Sequence, residues 1–201
     1  MSDAFYYNTI EKPAHAEFRD RGSRFIAFAY PIQSANDFKS YHQQLKKEHA
    51  KAVHHCFAYR IGSDGNTFRV SDDGEPSGTA GKPILNQLDS KEIINAAIIV
   101  VRYFGGTLLG VPGLINAYKS AAAMALQLTP LVQKQVTENY RLTFDYTRMN
   151  DVMLIVKQFN CEVKTSDIML FCDMVLAVPK ARKDELLYKL HELMGVEVNL
   201  I

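Results

Sequence analysis

The first third of the chain alternates between segments of period two and a segment of helical period. Residues 14 to 19 and 23 to 31 alternate apolar and polar positions around Arg21-Gly22 and predict two adjacent strands. The segment Ser34-Ala35-Asn36-Asp37 supplies N-cap candidates for a helix that is predicted to run to about Ala50. Residues 54 to 61 and 67 to 70 then read as strands on either side of an Asp-Gly turn.

The middle of the chain continues this mixed pattern. Residues 82 to 88 predict a short helix, and residues 91 to 103 predict a long strand with an apolar run typical of a sheet centre. Residues 112 to 128 place apolar side chains at helical spacing, with Pro112 in the first turn. These elements predict a mixed α/β domain over residues 1–134.

The last third carries a complete set of elements of its own. After an unpatterned stretch, Leu131 to Thr137, which we interpret as a linker, the chain predicts strand, helix, strand, strand, helix and strand. The predicted bounds are 139–146, 148–159, 162–166, 168–178, 180–194 and 196–200. This βαββαβ order is that of a ferredoxin-like fold. We therefore predict an α+β protein with a second domain at residues 135–201.

Composition excludes several classes of protein. The formal net charge of +1 provides no overall field toward nucleic acid or anionic lipid, so such a surface would have to be local. Cys56, Cys161 and Cys172 show neither disulfide nor zinc-ribbon spacing. The chain has no run of about eighteen apolar residues, and its first residues do not read as a secretion signal. We expect a cytoplasmic protein.

Two segments carry most of the unusual chemistry, and we name them the acidic loop (residues 71–83) and the glycine loop (residues 100–113). The glycine loop has four glycines in nine residues at a strand-to-helix junction, where backbone N–H groups can approach an anion. Arg102 ends a buried-looking strand and carries a large desolvation cost unless it is paired or faces a solvated cleft. Its partner in the first case would be Asp72, Asp73 or Glu75.

Enzymatic alternatives have weaker support. Asp72, Asp73 and Glu75 are hard oxygen donors, but they lack the remaining ligand positions of a calcium loop. Ser77 to Lys82 lacks the spacing of a nucleotide phosphate loop, and Ser77 is not in a nucleophile elbow. His54 and Cys56 would face one side of a strand and His55 the other, which leaves too few metal ligands on either side. The pair Tyr103-Phe104 could stack on bases beside Arg102.

The motifs Asp73-Gly74-Glu75-Pro76-x-Gly-Thr-Ala-Gly and Val-Arg-Tyr-Phe-Gly-Gly-x-x-Leu-Gly resemble those of the IMPACT family in its bacterial two-domain, YigZ-type form. The resemblance covers about residues 15 to 125. It implies a first domain like the second domain of small-subunit ribosomal protein five, followed by a ferredoxin-like domain. The same pair of domains resembles the last two domains of elongation factor G.

The resemblance implies a role in translation, since eukaryotic members regulate its initiation, and a contact with RNA or a ribosome-associated partner. Our leading hypothesis is a non-enzymatic factor that uses the two glycine-rich segments. The alternative is a metal-assisted enzyme acting on a phosphorylated small molecule or nucleotide. We assign no catalytic residue, metal ligand or cofactor. The predicted ligand-binding residues are Asp72, Asp73, Gly74, Glu75, Gly78, Lys82, Arg102, Tyr103, Gly105, Gly106, Gly110 and Lys119.

Overall fold

The structure is a computed structural model that describes residues 5–201. It divides into two compact units, one from Tyr7 to Lys134 and the other from Gln135 to Ile201 together with Phe5 and Tyr6. Strands and helices are mixed in both units, which confirms the predicted α+β class. No helix within residues 5–201 is long and apolar enough to cross a membrane.

The first part of the chain contains seven strands and three helices within the described residues. They are β1 (Tyr6–Ile10), β2 (Ala14–Asp20), β3 (Ser23–Pro31), α1 (Ala35–Glu48), β4 (His54–Ile61), β5 (Thr67–Ser71), α2 (Gly81–Asp89), β6 (Ala96–Tyr103), α3 (Gly110–Gln127) and β7 (Leu131–Gln135). Strands β2 to β6 form one antiparallel sheet in the order β2-β3-β6-β4-β5. The apolar strand β6 is therefore central.

Both faces of this sheet are covered, which explains the uninterrupted apolar run of β6. Side chains of Ala96, Ile98 and Val100 belong to a core with α2 and α3. Ala97 and Ile99 point the other way, into a second core with α1. Successive side chains of a strand alternate between faces, so each residue of β6 is assigned to one core by its position.

Helix α1 begins after Ser34, which is one of the N-cap candidates that the sequence offers. The Ser34 hydroxyl accepts the N–H of Asp37 at 3.2 Å, and the Asp37 carboxylate accepts the N–H of Ser34 at 2.9 Å. This reciprocal capping satisfies two N–H groups of the first turn. Phe38 and Leu45 are the buried residues of the helix.

Several boundaries in the first part of the chain differ from the sequence prediction. Residues 131–135 are not an unpatterned linker but strand β7, which pairs with the unpredicted strand β1 in a two-stranded sheet. Most side chains of β7 are exposed, so the sequence of this strand shows no alternation of apolar and polar residues. The central strand starts at Ala96 rather than residue 91, because Glu92 and Asn95 have left-handed backbone angles, φ 52° and 54°. Helix α3 begins two residues before Pro112.

The second unit has the predicted βαββαβ order. Its elements are β8 (Thr137–Asp145), α4 (Met149–Gln158), β9 (Glu162–Ile168), β10 (Phe171–Pro179), α5 (Lys183–His191) and β11 (Val196–Leu200). The strands form an antiparallel sheet in the order β11-β8-β10-β9. The turn between β9 and β10 lies at residues 169–170, whereas the predicted strands are separated at residue 167. Leu142, Phe144, Leu176 and Val156 contribute to a separate core.

We predict that residues 1–134 and 135–201 each fold when expressed alone, because each part has its own buried core. The expected result is dispersed amide signals in the NMR spectrum of either fragment. A fragment of residues 146–201 is the control. It lacks β8, which lies inside the four-stranded sheet, and should be unfolded. Collapsed amide signals from residues 135–201 would contradict the prediction.

Candidate functional site

The acidic loop and the glycine loop meet at a buried ion pair. Arg102 Nη1 lies 2.5 Å from Glu75 Oε1, and both side chains are buried. The Tyr118 hydroxyl donates to the same carboxylate oxygen at 2.8 Å. Of the two possibilities for Arg102, the structure therefore shows the ion pair, and it selects Glu75 from the three acidic candidates.

The alternation of side chains along strand β6 and the helical spacing along α3 bring Arg102 and Tyr118 to the same core. Arg102 follows Ala96, Ile98 and Val100 on the side of β6 that faces α2 and α3. Tyr118 lies on the buried side of α3 and packs edge-on against Phe25, with ring centroids 5.1 Å apart. The Arg102 guanidinium lies 5.3 Å from the centroid of the Phe25 ring. Apolar neighbours thus exclude water from the ion pair, and loss of either partner would leave a buried charge unpaired.

Cys56 extends the cluster along β4. Its thiol lies 3.3 Å from the Tyr118 hydroxyl and 2.9 Å from the backbone carbonyl of Asp72. Burial raises the pKa of the thiol, and burial together with Cys56 and Glu75 raises the pKa of Tyr118. Both groups are neutral at neutral pH, so Cys56 lacks the thiolate that nucleophilic chemistry requires.

Asp72 organises the acidic loop from within. Its carboxylate accepts the N–H groups of Gly78, Ala80 and Gly81 at 2.8 to 2.9 Å. The last two belong to the start of α2, so Asp72 caps this helix from the preceding loop. Burial alone would raise the pKa of Asp72, but the three N–H donors hold it below its ordinary value. Gly78 has a left-handed φ of 77° in this turn.

Asp73 and Gly74 fix the loop to the start of β4. The Asp73 carboxylate accepts the N–H of His55 at 2.7 Å, and the Asp73 carbonyl lies 2.8 Å from Nδ1 of His54. Gly74 has a φ of 90°, which disfavours other residues there. His54 Nε2 is also 3.7 Å from Glu75 Oε1. All three acidic side chains of the loop are thus engaged within the protein.

In the glycine loop, Gly105 is required by a close contact between two backbone segments. A Cβ on Gly105 would lie 2.0 Å from the carbonyl carbon of Gly22, in the turn between β2 and β3. The Gly105 N–H also donates to the buried Ser23 hydroxyl at 3.2 Å. Gly106 and Gly110 have left-handed φ values of 86° and 70°. The space beside Gly106 is open, whereas that beside Gly105 is filled by the protein itself.

Tyr103 does not lie beside Arg102, because consecutive residues of a strand face opposite sides of the sheet. Its hydroxyl lies 2.8 Å from His49 Nδ1, next to the end of α1, and Arg24 lies over its ring. Phe104 does lie over Arg102, 5.7 Å from the guanidinium, and its side chain is 49% exposed. The predicted stacking pair of Tyr103 and Phe104 is therefore divided between two surfaces.

Lys82 and Lys119 are both exposed, on helices α2 and α3, which pack against each other. Neither makes an ion pair within the part of the chain that the structure describes. Of the three cations among the predicted ligand-binding residues, Lys82 and Lys119 are accessible, whereas Arg102 is buried in the ion pair.

The acidic loop does not bring its carboxylates together as a metal site. Asp72, Asp73 and Glu75 bind backbone amides or Arg102, each with separate partners. Among residues 5–201 no group of three His, Cys, Asp or Glu side chains is placed to hold a metal ion.

Sequence reasoning missed four members of the cluster: Ser23, His54, Cys56 and Tyr118. For Tyr118 the sequence indicates only a place in the helical pattern of residues 112–128, although a buried tyrosine hydroxyl needs a polar partner. That requirement was the one signal available, and it does not identify the partner. The partners come from chain segments up to 82 residues apart, as for Ser23 and Gly105.

Comparison with known proteins relates this site to a described family. Residues 21–126 match the profile described as "Impact N-terminal domain". The chain is 33% identical to "IMPACT family member YigZ" of Escherichia coli, over 89% of each chain. It is 32% identical to an "IMPACT family member" of Haemophilus influenzae, over 78% of this chain and 77% of that one. A solved structure described as a hypothetical protein has a TM-score of 0.77 and 30% identity, covering 98% of both chains.

We predict that Arg102→Ala destabilises the protein by about 3 to 5 kcal/mol, because it leaves the Glu75 carboxylate buried without its charge partner. Urea unfolding at pH 7 measures the change. Arg24→Ala is the matched control, since Arg24 pairs with Glu17 at the surface and its loss should destabilise the protein much less. Equal losses in the two variants would refute the structural role of Arg102.

We also predict that Asp72→Ala destabilises the protein by about 1 to 2 kcal/mol at pH 7, as expected for loss of a helix cap. The pKa of Asp72 is lowered in the folded state, so its contribution is present above the unfolded pKa and is lost as pH falls. Unfolding at a series of pH values from 7 to 3 should show the difference from the native protein narrowing below about pH 4. A difference that stays constant would contradict the assignment.

Proposed function

The chain belongs to the IMPACT family, and we propose that it is a non-enzymatic factor that binds RNA and acts in the regulation of translation. The proposed RNA-binding surface consists of Lys82, Phe104, Gly106, Gly110 and Lys119. We call it the glycine-loop surface. The family resemblance supports this role, because it implies a part in translation, whose initiation the eukaryotic members regulate.

One observation carries the proposal: the charged side chains of the acidic loop are engaged within the protein, while the lysines and the aromatic side chain remain outside. Glu75 is buried with Arg102, and Asp72 accepts three backbone N–H groups. These groups hold the loops in place and are not free to take part in chemistry. The exposed lysines and the exposed aromatic ring support a binding role for this surface.

The exposed groups suit a single-stranded nucleic acid. Phe104 presents an aromatic face on which a base can stack, and such stacking tolerates any base. Lys82 and Lys119 provide ammonium groups for phosphates. Gly106 has no side chain to obstruct the approach of a sugar-phosphate backbone, and the space beside it is open.

We predict weak RNA binding with a shallow dependence on salt. Two phosphate contacts should give a slope of log K against log salt of about −1 to −2 for a single strand. Lys82→Ala and Lys119→Ala should each flatten the slope by about 0.7. Phe104→Ala should weaken binding by about 1 to 3 kcal/mol at every salt concentration, without changing the slope. Titration of a labelled single-stranded RNA at several salt concentrations measures all of these.

Lys47→Ala is the control, because Lys47 is an exposed lysine of α1, on the opposite face of the sheet from α2 and α3. It should leave both affinity and slope unchanged. Absence of RNA binding by the native chain at low salt would overturn the proposal. A protein partner whose capture depends on Lys82 and Lys119 would then be the better explanation of the surface.

A further inference from the structure

A second candidate site lies on the other face of the same sheet, between α1 and strands β4 and β5. It is a cleft of about 340 Å³, within the range of small-molecule sites. Its lining includes Phe38, Lys39, His42, Phe57, Tyr59 and Arg69. None of these residues belongs to the glycine-loop surface.

The floor of the cleft is aromatic. The rings of Phe38, Phe57 and Tyr59 are buried, and the Phe38 ring lies 4.5 and 4.7 Å from the other two. His42 stacks on Phe38 with ring centroids 5.4 Å apart and forms part of the wall. A planar ring is the shape that such a floor accommodates, because offset and edge-to-face contacts between rings are favourable.

Two cations stand at the rim. Arg69 is directly opposite Tyr59 in the pairing of β4 with β5, so its side chain emerges on the same face as the tyrosine ring. Lys39 is one helical turn from both Ala35 and His42, which also line the cleft. Both cations are exposed, and neither makes an ion pair among residues 5–201.

The lining contains no carboxylate to neutralise these cations. The nearest acidic residue in the sequence of α1, Asp37, is occupied in capping, because it accepts the N–H groups of Gln33 and Ser34. Those N–H groups are therefore not available to an anion, and Lys39 and Arg69 would have to bind it. An uncompensated pair of cations above an aromatic floor selects a ligand that is both planar and anionic.

We propose that this cleft binds a nucleotide unit, with the base against Phe38, Phe57 and Tyr59 and the phosphate on Lys39 and Arg69. The unit is either a free mononucleotide or one nucleotide of a single strand, since both present the same base and phosphate. The site does not depend on the RNA-binding role of the glycine-loop surface, and it uses different residues.

The first test is a titration of adenosine 5′-monophosphate into the full chain, in which amide chemical shifts in NMR spectra measure binding. Saturable shifts at residues that line the cleft are expected. Lys39→Ala and Arg69→Ala should each weaken binding about five- to tenfold, as expected for one charge-assisted contact of a little over 1 kcal/mol. Lys47→Ala, an exposed α1 lysine outside the cleft, should bind like the native chain.

Two further probes test the composition of the ligand. Adenosine without phosphate and inorganic phosphate without base should each bind more weakly than the nucleotide, by about tenfold or more. Equal binding of adenosine would make the cleft an apolar site, and equal binding of phosphate would make it a simple anion site. Either result would overturn the proposal, as would unperturbed cleft signals with the nucleotide.

A single-stranded oligonucleotide distinguishes the two sources of the ligand. If it binds more tightly than the mononucleotide and loses affinity in Arg69→Ala, the unit belongs to a strand. If the mononucleotide binds more tightly, the ligand is free. Lys82→Ala and Lys119→Ala should not change binding of the mononucleotide, so failure of this proposal is distinguishable from failure of the RNA-binding one. Unfolding in urea should confirm that the exposed substitutions at residues 39 and 69 leave stability unchanged.

Discussion

The buried ion pair between Glu75 and Arg102 is the constraint on which the first unit depends. A carboxylate and a guanidinium lose their hydration in this core, and only their mutual contact and added hydrogen bonds offset that loss. Glu75 Oε1 accepts hydrogen bonds from both the Arg102 guanidinium and the Tyr118 hydroxyl. The ion pair therefore fixes the acidic loop, the end of β6 and helix α3 relative to one another. Neither loop can move far without separating buried charges.

This constraint changes what the acidic loop offers to a ligand. In the sequence, Asp72, Asp73 and Glu75 suggest a negative surface or a cation site. In the structure, their oxygens receive backbone N–H groups and a guanidinium, so much of the charge is compensated internally. A chain of nearly zero net charge can then keep two lysines and an aromatic ring beside a loop that looks acidic only in sequence. The local surface matters more than the overall charge.

The sequence predicted most elements because their burial is one-sided or complete. Alternation in β2 and β3, the apolar run of β6 and the cap at Ser34 each leave a mark on residue type. Strands β1 and β7 leave little, since their mutual pairing uses backbone groups that every residue has. The sequence also indicated that Arg102 needs a partner, but it did not distinguish among the three carboxylates of the acidic loop. That choice depends on which oxygen the acidic loop's path brings to the end of β6.

Close contacts between backbone segments also could not be predicted from the pattern of residues along the chain. The glycines of the glycine loop suggested room for a ligand. The space beside Gly105 is filled by the turn at Gly22, whereas the space beside Gly106 is open. Two glycines distant in sequence give no sign that they meet. The structure also separates Tyr103, which contacts His49, from Phe104, which lies over Arg102. A strict use of period two would have assigned these two side chains to different faces.

The same alternation determines how the two proposed sites can be studied separately. Strand β4 sends Cys56 toward Tyr118 on one face, and Phe57 and Tyr59 toward the cleft on the other. A large change to an aromatic ring of the cleft would shift the β4 backbone and disturb the ion-pair cluster behind it, because close-packed cores transmit strain. Exposed side chains such as Lys39 and Arg69 have no such route. Substitutions at the surface are therefore expected to add independently across the sheet, whereas substitutions in its floor would couple the two sites through one strand.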